Sequence, residues 1–211
     1  MKIFIAGATG RVAENLIKQL SQMGHEIYAG ARKPEKVISL VNVHPVALDL
    51  QDDVSTLVNL IDGMDAVYFV AGSRGQDLLQ TDAFGAVKFM QASEKAGVKR
   101  FLLLSSVFAN LPSKWNDPAL RNITNYNIAK FFADQWLIQN TNLDYTIIQP
   151  GNLQETKGSG KIMINVDESM PNSIENVAMV LAESLEIKGT IKKVITMADG
   201  EIPVKTALKT I

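Results

Sequence analysis

The chain has 211 residues, with 21 basic and 22 acidic side chains, so its formal net charge is −1. At a prior of roughly 150 residues per domain, this length predicts one domain spanning residues 1–211. The balanced charge argues against nucleic-acid binding, which needs a clear basic excess, and against a polybasic membrane-binding surface. Hydrophobic residues make up 46% and charged residues 20%, which is typical of a folded core and not of a disordered chain.

The chain contains no cysteine and only two histidines, His25 and His44. These counts exclude a disulfide framework, a thiolate metal site, a cysteine nucleophile and a histidine-rich metal site. No apolar run approaches the roughly 18 residues of a membrane span, and the chain starts directly with a strand-like segment that leaves no room for a signal peptide. We therefore expect a cytoplasmic protein with no metal site and no membrane partner.

Apolar runs of strand length alternate with segments of helical period through most of the chain. Strands are predicted at residues 2–6, 26–31, 43–48, 66–71, 100–105, 145–148 and 193–197. Helices are predicted at 11–23, 54–61, 77–96 and 125–140, and a further helix is predicted to be capped by Ser173. This alternation predicts an α/β fold of Rossmann type: a doubly wound parallel sheet with helices on both faces.

Two stretches, residues 107–124 and 151–172, depart from the alternation. They are rich in proline, glycine, serine and other polar residues, and neither is long enough to form a separate domain. We predict that both are loops over the carboxyl edge of the sheet, where ligands bind in such folds. Phe108 and Trp115, in the first loop, either form a wall of a substrate pocket or anchor the loop to the core.

A glycine-rich turn lies between the first predicted strand and the first predicted helix. Its sequence runs Gly7-Ala8-Thr9-Gly10-Arg11-Val12-Ala13, with alanine at the third position of the dinucleotide-binding pattern. Glycine allows the backbone to approach a pyrophosphate closely, and the helix N-terminus then faces the anion. We predict that Gly7, Thr9, Gly10, Arg11 and Val12 bind a dinucleotide.

The second predicted strand ends in Arg32-Lys33, where an NAD enzyme would carry Asp or Glu for the ribose 2′-hydroxyl. A guanidinium suits a phosphate dianion, so this pair favours NADP(H) over NAD(H), with Arg11 able to reach the same 2′-phosphate. A solvated basic turn is the alternative interpretation. Asp49-Leu50, after the third strand, either lies beside the adenine ring or caps the following helix through Asp49.

Tyr126 and Lys130 are four residues apart on the helix that follows strand five, so they share one face of it. Ser105-Ser106 ends that strand. With these features the chain resembles the short-chain dehydrogenase/reductase superfamily, and most closely its small atypical NAD(P)H-binding members related to flavin/biliverdin reductases and epimerase-like proteins. The resemblance covers essentially the whole chain and rests on Gly7–Gly10, Ala71-Gly72-Ser73, Ser105-Ser106, Tyr126–Lys130 and Leu143–Gly151.

The resemblance implies roles for these residues. Tyr126 would protonate a carbonyl oxygen, which a phenol does poorly near neutral pH unless a neighbouring cation such as Lys130 stabilises its anion. Lys130 would also bind the nicotinamide ribose, and Pro150-Gly151 would line the nicotinamide. The family serine that orients the substrate oxygen corresponds to Ser106 or to the next position, Val107. The alternative for Tyr126 is a helix residue with its ring on the core and its hydroxyl at the surface. Relatives usually carry arginine where this chain has Gln149.

We therefore expect an NADPH-dependent oxidoreductase that acts on a small carbonyl compound, quinone or flavin-like acceptor. An NmrA-like redox sensor without turnover and an epimerase-like enzyme that retains its nucleotide are the alternatives. About 60 residues follow Pro150, fewer than the superfamily's nucleotide-sugar enzymes use, so a bulky nucleotide-sugar is not expected. The expected partner is a small-molecule substrate, and the chain is expected to be a monomer or a homodimer.

Overall fold

The computed structural model describes all 211 residues and contains eleven β-strands and six α-helices. The strands are β1 (Lys2–Ala6), β2 (Glu26–Ala31), β3 (Val43–Ala47), β4 (Ala66–Phe69), β5 (Arg100–Leu104), β6 (Asp144–Pro150), β7 (Asn152–Gln154), β8 (Lys161–Ile164), β9 (Pro171–Ser173), β10 (Lys193–Asp199) and β11 (Ile202–Pro203). The α-helices are α1 (Arg11–Gln22), α2 (Val54–Ile61), α3 (Ala86–Lys95), α4 (Thr124–Asn140), α5 (Ile174–Glu186) and α6 (Val204–Leu208).

The central sheet has nine strands in the order β11-β8-β10-β6-β5-β4-β1-β2-β3. Every pairing from β10 to β3 is parallel, whereas β8 pairs antiparallel with β10 and β11 pairs antiparallel with β8. The strand order reverses at β1, which lies between β2 and β4, and this reversal opens a crevice at the carboxyl ends of β1 and β4. The predicted Rossmann-type α/β fold is confirmed.

Helices cover both faces of the sheet, because the side chains of each strand alternate between the two sides. Ile3 and Ile5 of β1 belong to a core with α1, α5 and α6, and Phe4 belongs to a second core with α2, α3 and α4. The Phe4 and Phe89 ring centroids lie 5.8 Å apart in this second core. Both faces of the sheet are therefore shielded from solvent, which is why the strands appear as continuous apolar runs in the sequence.

The helix predicted over residues 77–96 is divided. Residues 78–85 form a π-helical stretch, and α3 begins at Ala86. The widened turn brings the Gln80 carbonyl to Gly85, where a Cβ would lie 3.0 Å from that oxygen. π-helical turns are frequent at functional sites, and this one carries the buried Asp82.

The prediction that residues 151–172 form only a loop is wrong. The segment contains β7, β8 and the start of β9, and β7 pairs with β9 in a small separate sheet. Its order depends on distant side chains: the Asn176 amide accepts a hydrogen bond from Gly160 N at 2.9 Å and donates to Asp199 Oδ1 at 2.7 Å. Residues 107–123 contain no strand; they form turns and two short 3₁₀ helices, and α4 begins at Thr124.

The prediction for the N-terminus of α5 is correct in position but wrong about the capping hydrogen bond. The helix begins at Ile174 as Ser173 predicts, but the Ser173 hydroxyl donates to the carbonyl of Thr156 at 2.7 Å and does not cap the helix. None of the helices combines the length and the apolar character that a membrane-spanning segment needs.

Candidate active site

The turn between β1 and α1 fits an anionic ligand. Gly7 has a φ of +92°, and a Cβ there would lie 2.6 Å from Ala71 Cα, so a glycine is required for this close approach of two backbones. The backbone amides of Arg11, Val12 and Ala13, in the first turn of α1, donate to no protein acceptor. These free donors and the positive end of the helix dipole suit a diphosphate.

Arg11 contacts the segment after β7. Its Nη1 donates to Glu155 Oε1 at 2.9 Å, and both side chains are more than half exposed. This ion pair joins the glycine turn to the segment that follows Pro150-Gly151. Contact of Arg11 with a 2′-phosphate stays a prediction.

Arg32 and Lys33 follow β2 directly and are exposed. Neither side chain makes a hydrogen bond or an ion pair within the chain, so both are available to an anion. Gly30, two residues before Arg32, accepts hydrogen bonds from the amides of Gly7 and Ala8 at 3.0 Å. The basic pair therefore extends from the same sheet edge as the glycine turn.

Asp49 does not cap the following helix. That role belongs to Asp53, whose carboxylate accepts from Thr56 N at 2.8 Å, and these hydrogen bonds lower the pKa of Asp53. The Asp49 carboxylate is exposed and accepts from Gln51 N at 2.9 Å within a tight turn. Leu50 is partly buried against the core. With the capping alternative removed, an adenine contact is the remaining prediction for Asp49 and Leu50.

Residues Ala71-Gly72-Ser73 follow β4 beside the glycine turn and are held by Asp82. The Asp82 Oδ2 atom accepts from Ser73 N at 3.0 Å, and the carboxyl group is fully buried. Its other oxygen, Oδ1, has no hydrogen-bond partner and lies 3.9 Å from the Lys130 ammonium. One buried carboxylate thus links the loop after β4 to the helix that carries Lys130.

Lys130 lies under Tyr126, as their spacing on one face of α4 predicts. The Lys130 Nζ atom is 5.6 Å from the centroid of the Tyr126 ring and donates to the Leu104 carbonyl at 3.2 Å. The lysine side chain is 2% exposed, whereas Tyr126 is only partly buried. The ammonium group is therefore held by the Leu104 carbonyl and lies close to both the Asp82 carboxylate and the Tyr126 ring.

Ser106 lies two residues after β5, lines the same cavity as Tyr126 and bonds to Asn127. The Ser106 hydroxyl donates to Asn127 Oδ1 at 3.0 Å, and the buried Asn127 Nδ2 has no partner. A 180° rotation of this amide would let Nδ2 donate to Ser106 and would free the serine proton for a substrate oxygen. At the neighbouring position, Val107, the backbone N–H donates to the Pro150 carbonyl at 2.9 Å.

A second buried carboxylate, Asp134, lies below these residues. Its Oδ2 accepts from Ser105 Oγ and from Gln149 Nε2, both at 2.8 Å, while Oδ1 has no partner. Burial raises the pKa of Asp134 to about 7, although both hydrogen bonds and the Lys130 charge oppose this shift. Gln149 therefore donates to a buried carboxyl group whose pKa is raised well above its ordinary value.

A cavity of about 590 Å³ lies above this constellation, and Tyr126, Ser106, Pro150 and Gly151 are among its lining residues. Gly151 is required here because a Cβ would collide with the Met170 carbonyl. The cavity thus gathers the predicted catalytic tyrosine and serine and the predicted nicotinamide-lining pair.

The two aromatic residues of the first loop do not line the cavity. Phe108 is 2% exposed, and Trp115 donates from Nε1 to the Phe108 carbonyl at 3.0 Å. Trp115 also packs edge-on against Phe131 of α4, with ring centroids 6.0 Å apart. Both therefore anchor the loop.

Four residues of this region escape the sequence-based prediction: Asp82, Asn127, Asp134 and Glu155. Asn127 and Asp134 carry a detectable signal, because they lie at positions −3 and +4 from Lys130 and form a polar stripe on a buried helix face. Asp82 and Glu155 act through partners far away in the sequence, which no local pattern indicates.

Comparison with known proteins identifies the family and the fold of the chain. Residues 7–188 match the model of an NAD(P)H-binding family. The "Uncharacterized sugar epimerase YhfK" of Bacillus subtilis is 33% identical over 217 residues, covering 99% of both chains, and yeast "UPF0659 protein YMR090W" is 34% identical, covering 100% of this chain and 99% of its own.

Among solved structures, the "oxidoreductase ylbE" of Lactococcus lactis superposes with a TM-score of 0.98 at 47% identity, over 100% of this chain and 96% of that one. Residues 7–188, the range that the family model matches, include the glycine turn, the loop after β4, Ser106, Tyr126, Lys130 and Pro150-Gly151. The chain therefore belongs to the NAD(P)H-binding family and has a Rossmann-type fold.

Proposed function

We propose that this chain is an NADPH-dependent oxidoreductase that reduces a small carbonyl, quinone or flavin-like acceptor. The observation that carries the proposal is the placement of Tyr126 and Ser106 on one cavity, with the buried Lys130 ammonium 5.6 Å from the tyrosine ring. A fixed cation near the ring can stabilise the negative charge that develops on a phenol oxygen during proton transfer.

Different residues of the chain bind different parts of the cofactor and the acceptor in this proposal. The free amides of the α1 N-terminus hold the diphosphate, and Arg32 and Lys33 supply cations for the 2′-phosphate, which favours NADPH. Pro150 and Gly151 line the nicotinamide. When bound, the reduced cofactor supplies a hydride. Ser106 orients the acceptor oxygen once Asn127 turns its amide donor toward the serine, and Tyr126 delivers the proton.

Lys130 has a double role in this scheme. Its ammonium stabilises the tyrosinate that remains after proton transfer, and it also bonds to the nicotinamide ribose. Asp82 keeps the ammonium in position, since its Oδ1 lies 3.9 Å from Nζ. Solvent entering the cavity returns a proton to Tyr126 after the alcohol leaves.

Replacement of Tyr126 by Phe tests the proposal. A positioned general acid contributes roughly 10²–10⁴-fold, so we expect Tyr126→Phe to lower kcat for a carbonyl acceptor by about this factor without changing the Kd for NADPH. Tyr28→Phe is the control, because Tyr28 is also partly buried and its hydroxyl makes no hydrogen bond. Full turnover of carbonyl and flavin acceptors by Tyr126→Phe would overturn the assignment of Tyr126.

An epimerase that keeps its nucleotide is the second candidate, and the name of the Bacillus subtilis relative favours it. Such an enzyme would return the hydride to the same substrate, with no net oxidation of NADPH. Mass spectrometry of the purified protein for retained nucleotide, together with absorbance at 340 nm during turnover, separates the two functions. We further propose a monomer or homodimer that acts on a small molecule, and light scattering measures that state.

A further inference from the structure

The cavity above Tyr126 has no charged residue in its lining. Fifteen residues form its wall, and none of them is Asp, Glu, Lys, Arg or His. Leu120, Ile123, Leu153 and Met170 are among the eight hydrophobic residues of the wall. The few polar side chains include Ser105, whose hydroxyl already bonds to Asp134 and is not free for a ligand.

Two of the cations near this wall, Lys130 and Lys114, are already bound within the chain. Lys130 is 2% exposed and is bound by the Leu104 carbonyl and Asp82. Lys114, in the loop after β5, donates to the Asp167 carbonyl at 2.8 Å and lies over the Phe108 ring. A charged ligand enclosed by this wall would therefore lose hydration without gaining a partner of opposite charge among the lining residues, and such burial is strongly unfavourable.

We propose that the acceptor is an uncharged, largely apolar carbonyl compound, and that acceptors bearing a carboxylate, sulfonate or phosphate are rejected. This inference rests on the proposed function and narrows its substrate class. The volume of about 590 Å³ lies within the range of small-molecule sites. The acceptor carbon takes the hydride of the reduced nicotinamide and the oxygen takes the proton of Tyr126, so an alcohol and the oxidised cofactor result.

A matched pair of aldehydes tests the proposal. Methyl 4-formylbenzoate and 4-formylbenzoate carry the same aldehyde on the same ring, but only the second is an anion near neutral pH. We expect kcat/KM for NADPH oxidation to be at least about tenfold higher with the ester, since burial of an unpaired charge costs more than about 1.4 kcal/mol. Equal or preferred use of the carboxylate would overturn the proposal.

A cation placed in the wall should reverse the preference. Ile123 lines the cavity and is 39% exposed, so Ile123→Lys adds an ammonium group without burying it fully. We expect the ester-to-carboxylate ratio of kcat/KM to fall at least about tenfold in this variant. Leu40→Lys is the control, because Leu40 is also 39% exposed and lies outside the cavity. The same ratio in both variants would show that the acceptor binds elsewhere.

Binding measurements keep this inference separate from the proposed function. Both aldehydes are titrated into the NADPH-saturated protein by calorimetry. Tighter binding of the ester than of the carboxylate, lost in Ile123→Lys but kept in Leu40→Lys, supports an uncharged ligand. This support holds even if no NADPH is oxidised, and in that case only the proposed function fails. Equal binding of the two aldehydes, or no binding of either, contradicts the inference whatever the turnover.

Discussion

The buried carboxyl group of Asp134 offers a quantitative test of the site's electrostatics. Asp134→Asn removes the titrating group but keeps its shape, because the amide oxygen can accept the hydrogen bonds that Ser105 and Gln149 donate to Oδ2. The amide nitrogen takes the place of Oδ1, which has no partner. Any cost of leaving this nitrogen unpaired is a constant offset, roughly 1–3 kcal/mol, that does not vary with pH.

The size of the effect follows from the pKa of Asp134. Its ordinary value is 3.8, and burial raises it to about 7 in the folded chain. Between these values the folded state holds a proton that the unfolded state has lost, so the free energy of unfolding falls as the pH rises through this window. The whole difference corresponds to roughly 4 kcal/mol as an upper bound, because one pKa unit is about 1.36 kcal/mol. Above about pH 7 the loss is complete.

Urea unfolding of the wild type and of Asp134→Asn from about pH 4.5 to about pH 8.5 measures this loss. We expect the stability of the variant, relative to the wild type, to rise by a few kcal/mol up to about pH 7 and then to level off. Asp53→Asn is the control, since hydrogen bonds from Thr56 and Ser55 lower the pKa of Asp53, so it titrates below this range. A difference between Asp134→Asn and the wild type that does not change with pH would refute the reasoning.

Three further predictions concern the cofactor site and the core. Asp82→Asn removes the counter-ion of Lys130, so we expect weaker NADPH binding in fluorescence titration and a lower kcat; wild-type values for both would contradict the positioning role of Asp82. Arg32→Asp should reverse the preference for NADPH over NADH, and an unchanged ratio of the two Kd values would remove Arg32 from the 2′-phosphate site. Leu16→Ala empties a fully buried position in the core under α1 and should lower the free energy of unfolding by about 2–5 kcal/mol in urea titration, whereas a loss below about 1 kcal/mol would mean that the site collapses without a cavity.

The elements that the sequence predicts well are those whose signal is local. The apolar runs of β1, β2 and β5 and the helical period of α1 directly report burial between two helix layers. The glycine turn is equally local, since Gly7 needs a positive φ and free space beside Ala71. Consequently the fold class and the position of the dinucleotide crevice follow from spacing alone.

What the sequence does not predict depends on contacts between distant residues. β8 is a four-residue strand held antiparallel by β10 and by Asn176, so its own residues carry too little pattern. The 77–96 helix is divided by the π-helical stretch over residues 78–85, and helical periodicity does not register such a widened turn. The same limit applies to Asp82, whose partners Ser73 and Lys130 are 9 and 48 positions away.

The central claim is that the N-terminus of α1 and the edge formed by Gly7, Ala71 and Arg32 bind a phosphorylated nicotinamide dinucleotide. Calorimetric titration of the wild-type chain with NADPH and with NADH tests it most directly. We expect saturable binding of both cofactors at one site per chain, with NADPH tighter by at least about tenfold because of the basic pair after β2. The titration extends to about 1 mM cofactor, which corresponds to a binding free energy of roughly −4 kcal/mol. If neither cofactor gives saturable heat up to that concentration, the result contradicts the account.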